Sequence, residues 1–196
     1  MIMSIEKKDI IEYFDLHASH WDEELIRNDN IIEKILDNAE VCEGKTVLDV
    51  ATGTGVLIND YLSRNVSSIC AIDISPEMVS ICHSKFPEVD IICGDADEEN
   101  YPRSFDCIMI YNAFPHFPDP EKLIAHLSKY LNEGGTLTVA HGMSREKIDS
   151  HHKGVANKVS LGLMDENMLE KIFSKYLKVI IKISDDEMYQ VTGKKI

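Results

Sequence analysis

The feature that most constrains this chain is an apolar run that ends in a glycine loop, Val47-Leu48-Asp49-Val50-Ala51-Thr52-Gly53-Thr54-Gly55. Residues 46–51 read as a buried strand, introduced by the turn Glu43-Gly44-Lys45, and a helical pattern over 56–63 follows. A strand that runs through a glycine turn into a helix belongs in an α/β sheet. Open sheets of this kind bind ligands beyond the carboxyl ends of their strands, at that turn. Glycine suits the position because, with no Cβ, it lets a ligand approach the backbone closely.

The alternation continues. Residues 68–72, 89–93, 105–111 and 135–140 read as further strands, the last opened by a Gly134-Gly135 turn. Helical patterns cover 76–85 and 120–131, and Pro76 and Pro120 both fit a first helical turn, where the missing N–H costs nothing. Strands that are nearly all apolar and alternate with helices imply a parallel sheet covered on both faces. Before the glycine loop, the first forty residues show helical periodicity without Gly or Pro. After 140 the alternation stops. Residues 141–160 are polar and His-rich, 165–175 reads as a helix, and 176–184 with 187–191 reads as a closing hairpin around Asp185-Asp186.

The loop chemistry narrows the ligand. Counting from Gly53, the third position of a dinucleotide fingerprint is Ile58, which breaks that pattern, and no Gly-Lys-Ser/Thr exists to form a P-loop. Asp49, just before the loop, would repel phosphate but could hold a cation. These residues favour a ligand with an amine or sulfonium and no phosphate. The second strand ends at Asp73, where an acid can accept from both ribose hydroxyls. The third ends at Gly94-Asp95-Ala96, within reach of an adenine amino group.

On these residues the chain resembles the class I S-adenosylmethionine-dependent methyltransferases. Asp49 to Gly55 is similar to that family's cofactor loop, and Ala71-Ile72-Asp73-Ile74-Ser75-Pro76-Glu77-Met78 to its acidic ribose motif. Gly94-Asp95-Ala96 is similar to its adenine motif, and residues 105–116 to its fourth-strand motif. The resemblance covers about residues 40–140. Ala51 stands where the family commonly has its first glycine, a departure shared with quinone-type methyltransferases. Tyr13-Phe14-Asp15, Ala18 and Trp21-Asp22 resemble the cap helix of small-molecule and quinone methyltransferases, in which an aromatic closes over the cofactor.

The resemblance implies a Rossmann-like, open, mostly parallel sheet with helices on both faces, a C-terminal antiparallel hairpin and an N-terminal helical cap. It implies one domain over 1–196: a cap (1–40), a cofactor-binding core (41–140) and a substrate-side lid with the closing helix and hairpin (141–196). S-adenosyl-L-methionine is the implied cofactor and S-adenosyl-L-homocysteine its product. The implied cofactor residues are Trp21, Asp49, Ala51, Thr52, Gly53, Gly55, Asp73, Ile74, Met78, Gly94, Asp95, Ala96 and Tyr111.

Methyl transfer from a sulfonium is an in-line displacement, so the protein mainly positions the reactants and excludes water. The candidates for direct participation are Asn112 and His116, on the exit from the fourth strand, with His116 a candidate base because free histidine titrates near neutrality. The segment from His141 to Lys153 holds three histidines and three basic residues in thirteen. It suggests a substrate lid in which Arg145, His141, His151 and His152 meet a polar or anionic acceptor. A metal site there is a weaker reading, because adjacent His151 and His152 diverge by about 100° on a helix. No metal is expected.

Charge and cysteine content bound the partners. The chain has 34 acidic and 20 basic side chains, a net charge of −14. Residues 1–100 hold 22 acids and 7 bases, whereas the remainder holds 12 and 13. Such a chain repels polyanions, so a nucleic-acid partner is not expected. Tyr111-Asn112-Ala113-Phe114 also departs from the Asn/Asp-Pro-Pro-Tyr/Phe signature of base-modifying enzymes. Cys42, Cys70, Cys82, Cys93 and Cys107 form no Cys-x-x-Cys pair, and Cys70, Cys93 and Cys107 read as small core residues. This argues for a reducing cytoplasm, and no run is long enough for a signal peptide or membrane span. The expected enzyme is a monomer or homodimer acting on a small molecule. The alternatives are a quinone-type C-methyltransferase and a non-catalytic S-adenosylmethionine-binding protein.

Overall fold

The structure, a computed structural model, describes residues 5–152 and 159–196, with only the backbone of 151 and 152. The apolar strand Thr46–Val50 (β1) sits centrally because its side chains are buried on both faces. It pairs in parallel with Ser68–Asp73 (β2) on one side and Phe105–Tyr111 (β4) on the other. Asp90–Cys93 (β3) extends the sheet beyond β2, and Leu131–His141 (β5) extends it beyond β4, both in parallel. Lys178–Ser184 (β6) and Tyr189–Lys194 (β7) form the closing hairpin, whose β7 lies antiparallel to β5. The full order is β3-β2-β1-β4-β5-β7-β6. Order reverses at β1, and that switch point opens the crevice in which such sheets bind ligands.

The helices are Lys7–His17 (α1), Trp21–Glu24 (α2), Asp29–Asn38 (α3), Ile58–Ser63 (α4), Pro76–Lys85 (α5), Pro120–Ser128 (α6), Arg145–His152 (α7) and Glu166–Phe173 (α8). A 3-10 turn at Ala18–His20 joins α1 to α2, and another at Phe114–His116 follows β4. The proline starts are reinforced by side-chain caps. Ser75 Oγ accepts the Met78 N–H at 3.1 Å, and Asp119 accepts the Lys122 N–H at 3.0 Å. Each such cap contributes about 1 kcal/mol.

Strand alternation separates two cores. Leu48, Val50, Ile108 and Ile110 face Leu123 and Leu127 of α6 and Phe173 of α8. Val47, Ala71 and Met109 face Ile32, Ile35 and Leu36 of α3 and Ile58 and Tyr61 of α4. Among the described residues no helix is long and apolar enough to cross a membrane.

Three expectations change. β5 begins at Leu131, not Gly135: its register with β4 jumps between Phe105 and Cys107, and Gly134-Gly135 forms a bulge inside the strand. Helix α6 correspondingly stops at Ser128. Cys93 is exposed, because β3 is an edge strand with no neighbour on one side, whereas Cys70 and Cys107 are buried as expected.

Candidate active site

The carboxyl ends of β1, β2, β3 and β4 converge on one cleft. Its walls include Asp49, Ala51, Thr52 and Gly53 after β1, and Asp73, Ile74 and Met78 after β2. Gly94 to Asp97 follow from β3, and Tyr111 to Ala113 with His116 to Pro118 from β4. The loop after β1 turns sharply. Ala51 lies at φ 55° and Gly53 at φ 57°, both in the left-handed region. Ala51 therefore adopts the conformation that glycine would occupy without strain, at a cost of about 1 kcal/mol.

Two buried carboxylates define the cleft floor. Asp73 accepts the Gly53 N–H at 2.8 Å and the Ser75 N–H at 2.9 Å. Burial raises its pKa, and these backbone donors partly offset that. Asp49 accepts from the Thr52 hydroxyl at 2.7 Å and the Tyr61 hydroxyl at 2.9 Å. Burial pushes its carboxyl up to about 6, with the two hydroxyls acting in the opposite direction. Neither acid has a basic side chain among these partners. A cationic ligand would thus gain two acceptors already held in place. The donor set fits a nucleoside bearing a sulfonium and an ammonium, and offers nothing to a phosphate.

The N-terminal cap roofs this floor. Lys7, Ile10 and Phe14 of α1, Trp21 of α2 and Leu25 all line the cleft. A methyl group placed on Gly53 would lie 3.8 Å from the Trp21 indole nitrogen. Polar ties hold the cap down. Lys7 pairs with Asp95 and, at 3.1 Å, with Asp97. Burial lowers the Lys7 pKa, but these carboxylates outweigh it and raise it overall. Asp15 accepts from Ser75 Oγ at 2.5 Å, and Asp22 accepts from Thr54 Oγ1 at 2.5 Å and pairs with Lys85 at 2.8 Å. Asp95, Asp97 and Glu98 come close enough to hold a metal ion, but Lys7 and Lys122 form ion pairs with this group. We read it as an ion-pair network.

The far end of the cleft is polar. Asn112 lies at φ 54°, a conformation that asparagine tolerates, and its Oδ1 accepts the Gly142 N–H at 3.0 Å. His116 Nδ1 lies 2.7 Å from the Val159 carbonyl oxygen. A carbonyl only accepts, so Nδ1 is the donor in this contact. The Phe14 ring meets the His116 ring edge-on, with centroids 5.0 Å apart.

Known proteins share this fold and part of this sequence. The family described as a methyltransferase domain matches residues 47–135. An uncharacterized methyltransferase of Alkaliphilus oremlandii is 25% identical over 190 residues, covering 90% of this chain and 86% of the relative. A demethylmenaquinone methyltransferase of Renibacterium salmoninarum is 31% identical over 107 residues, covering 54% of this chain and 45% of its own. The N-methyltransferase NodS of Bradyrhizobium japonicum, solved with S-adenosyl-L-homocysteine, superimposes with a TM-score of 0.72 at 10% identity, covering 96% of this chain and 98% of that one. Residues 47–135 thus carry a methyltransferase domain, set in the fold of the S-adenosylmethionine-dependent methyltransferases.

All the residues expected at the methyltransferase's cofactor line the cleft except Gly55. Gly55 instead lies at φ 89° against α5, where a Cβ would come within 2.7 Å of the Phe86 ring. Asn112 and His116 line the cleft together. The lid residues do not all join them. Arg145 is outside the cleft lining and pairs with Asp165 at 3.1 Å. His141 is buried, with its ring edge-on to Tyr189 at 6.1 Å. The side chains of His151 and His152 lie outside the described residues. Sequence reasoning missed Lys7, Leu25, Asp97 and Phe117. Lys7 and Asp97 are 90 residues apart, and no local pattern links them.

Proposed function

We propose that this methyltransferase transfers the methyl group of S-adenosylmethionine to a small-molecule acceptor presented at Asn112 and His116. The observation that carries this reading is the Phe14–His116 ring contact, which covers the acceptor end of the cleft with the cap. A polymer would need an open groove there. The bound cofactor supplies an electrophilic methyl on sulfur. Asp49 and Asp73 hold its cationic and ribose portions, and Trp21 excludes water from above. Asn112, its Oδ1 engaged by the Gly142 N–H, lines the acceptor end beside His116. His116, oriented by its Nδ1–H bond to Val159, is the candidate proton acceptor for a nucleophile that needs deprotonation.

A quinone-type C-methylation is the second reading, favoured by the demethylmenaquinone methyltransferase relative. An anionic acceptor held by Arg145 has less support, because that guanidinium is engaged by Asp165. The test is transfer of label from methyl-tritiated S-adenosylmethionine into a fractionated cell extract. Label in the low-molecular-mass fraction supports the proposal. Label confined to protein or RNA overturns it.

A further inference from the structure

Beside this cleft lies a second, open groove between the turn after β4 and residues 160–164, which precede α8. Phe117 lines both. The groove is fixed to the acceptor end by two hydrogen bonds. His116 Nδ1 donates to the Val159 carbonyl at 2.7 Å, and the Leu161 N–H donates to the Pro115 carbonyl at 2.9 Å. The same short turn therefore carries His116 into the cleft and forms a wall of the groove.

The groove is apolar and uncharged toward a ligand. Phe114, Leu161, Leu163, Met164 and Met168 contribute its walls. Among the described residues its one ionisable lining residue, Asp149, accepts the Leu163 N–H at 3.0 Å and faces Arg145 at 3.9 Å. Leu161 is 47% exposed and Met168 56%, a large apolar exposure for a surface that borders an active site. Methionine walls adapt to flexible apolar partners.

We infer that this groove is a subsite for a neutral, apolar arm of the methyl acceptor, which crosses Phe117 while its reacting end lies at Asn112 and His116. The inference rests on the small-molecule reading above and narrows its substrate class to amphipathic acceptors with a hydrocarbon or aromatic extension. The shared Phe117 wall sets the groove beside the acceptor end of the cleft, which favours the acceptor over a protein partner. It also places acceptor recognition on residues 160–164 and not on Arg145 and the histidines of 141–152.

The test uses protein loaded with S-adenosyl-L-homocysteine, with 1-naphthol and 4-octyl-1-naphthol as probes. Cofactor binding is measured first by calorimetry. Its failure would count against the methyltransferase reading itself, whereas failure in the probe series counts only against the groove. Burial of two or three methylenes gives about tenfold tighter binding, so the octyl probe should bind at least about tenfold more tightly than 1-naphthol. It should also shift the Met164 and Met168 methyl resonances. The exposed-site variants Leu161→Glu and Met168→Glu should erase the octyl advantage and leave 1-naphthol affinity unchanged, with unaltered thermal melts. Equal affinity for the two probes overturns the inference, as does an octyl advantage that survives both variants.

Discussion

The Asp73 carboxylate accepts the Gly53 N–H at 2.8 Å, which ties the end of β2 to the turn that follows β1. One side chain thus shapes the glycine loop and lines the cleft proposed to hold the cofactor. Asp73→Ala removes a charged acceptor from both. Charged hydrogen bonds contribute about 1.5–3 kcal/mol, so S-adenosyl-L-homocysteine affinity should fall about 10- to 100-fold by calorimetry. Asp73→Asn should also weaken binding, because an amide cannot accept equally from Gly53 and Ser75.

Asp49 sets a pH dependence. Burial raises its carboxyl from 3.8 to about 6. Because the folded value lies above the unfolded one, the ionised group costs the free protein stability above pH 6, and the cost fades as pH falls towards 3.8. Asp49→Asn should therefore raise the melting temperature of the free protein at about pH 8 and lose that advantage near about pH 4. A cationic ligand needs the carboxylate form. Cofactor affinity of the native protein should fall as pH drops through 6, and Asp49→Asn should flatten that profile.

The glycine loop was legible in the sequence in its order of residues but not in its division of labour. Gly53 lines the cleft and Gly55 packs against Phe86, and only the position of α5 distinguishes them. Gly55→Ala combines a strained φ with a clash, so a loss of about 2–4 kcal/mol is expected in urea denaturation. Gly44→Ala, at φ 81° with open space around it, should cost only about 1 kcal/mol. Ala51→Gly should stabilise by about 0.5–1 kcal/mol, because Ala51 already sits at φ 55°.

Lys7 fastens the cap. Among the described residues, Lys7→Met leaves Lys122 as the only lysine paired with the Asp95, Asp97 and Glu98 group, and Asp97 is almost fully buried. Limited proteolysis between residues 18 and 28 should accelerate about threefold or more, because local opening becomes easier. Lys7→Arg should restore most of the protection. Equal cleavage of Lys7→Met and the native protein would contradict the proposed tie.

The elements most readable in the sequence are those fixed by local chemistry. Pro76 and Pro120 mark the starts of α5 and α6 because proline and the preceding capping side chain act within one turn. β1 and β2 read as apolar runs because parallel strands are buried on both faces. Features set by neighbours in space were not readable. The exposure of Cys93 follows from the edge position of β3, and the fate of Arg145 from Asp165, twenty residues away. Likewise, the basic composition of 141–153 described that segment's charge and not where its charges point. The cap aromatics were legible as a motif, whereas the Phe14–His116 contact that closes the cleft was not.

The central claim is that the cleft at the ends of β1 to β4 holds S-adenosylmethionine. Calorimetric titration of the native chain and of Asp73→Ala with S-adenosyl-L-homocysteine tests it most directly. The account predicts one-to-one binding to the native chain, weakened about 10- to 100-fold in the variant. Absence of binding to the native chain, or equal affinity in the two proteins, would contradict it.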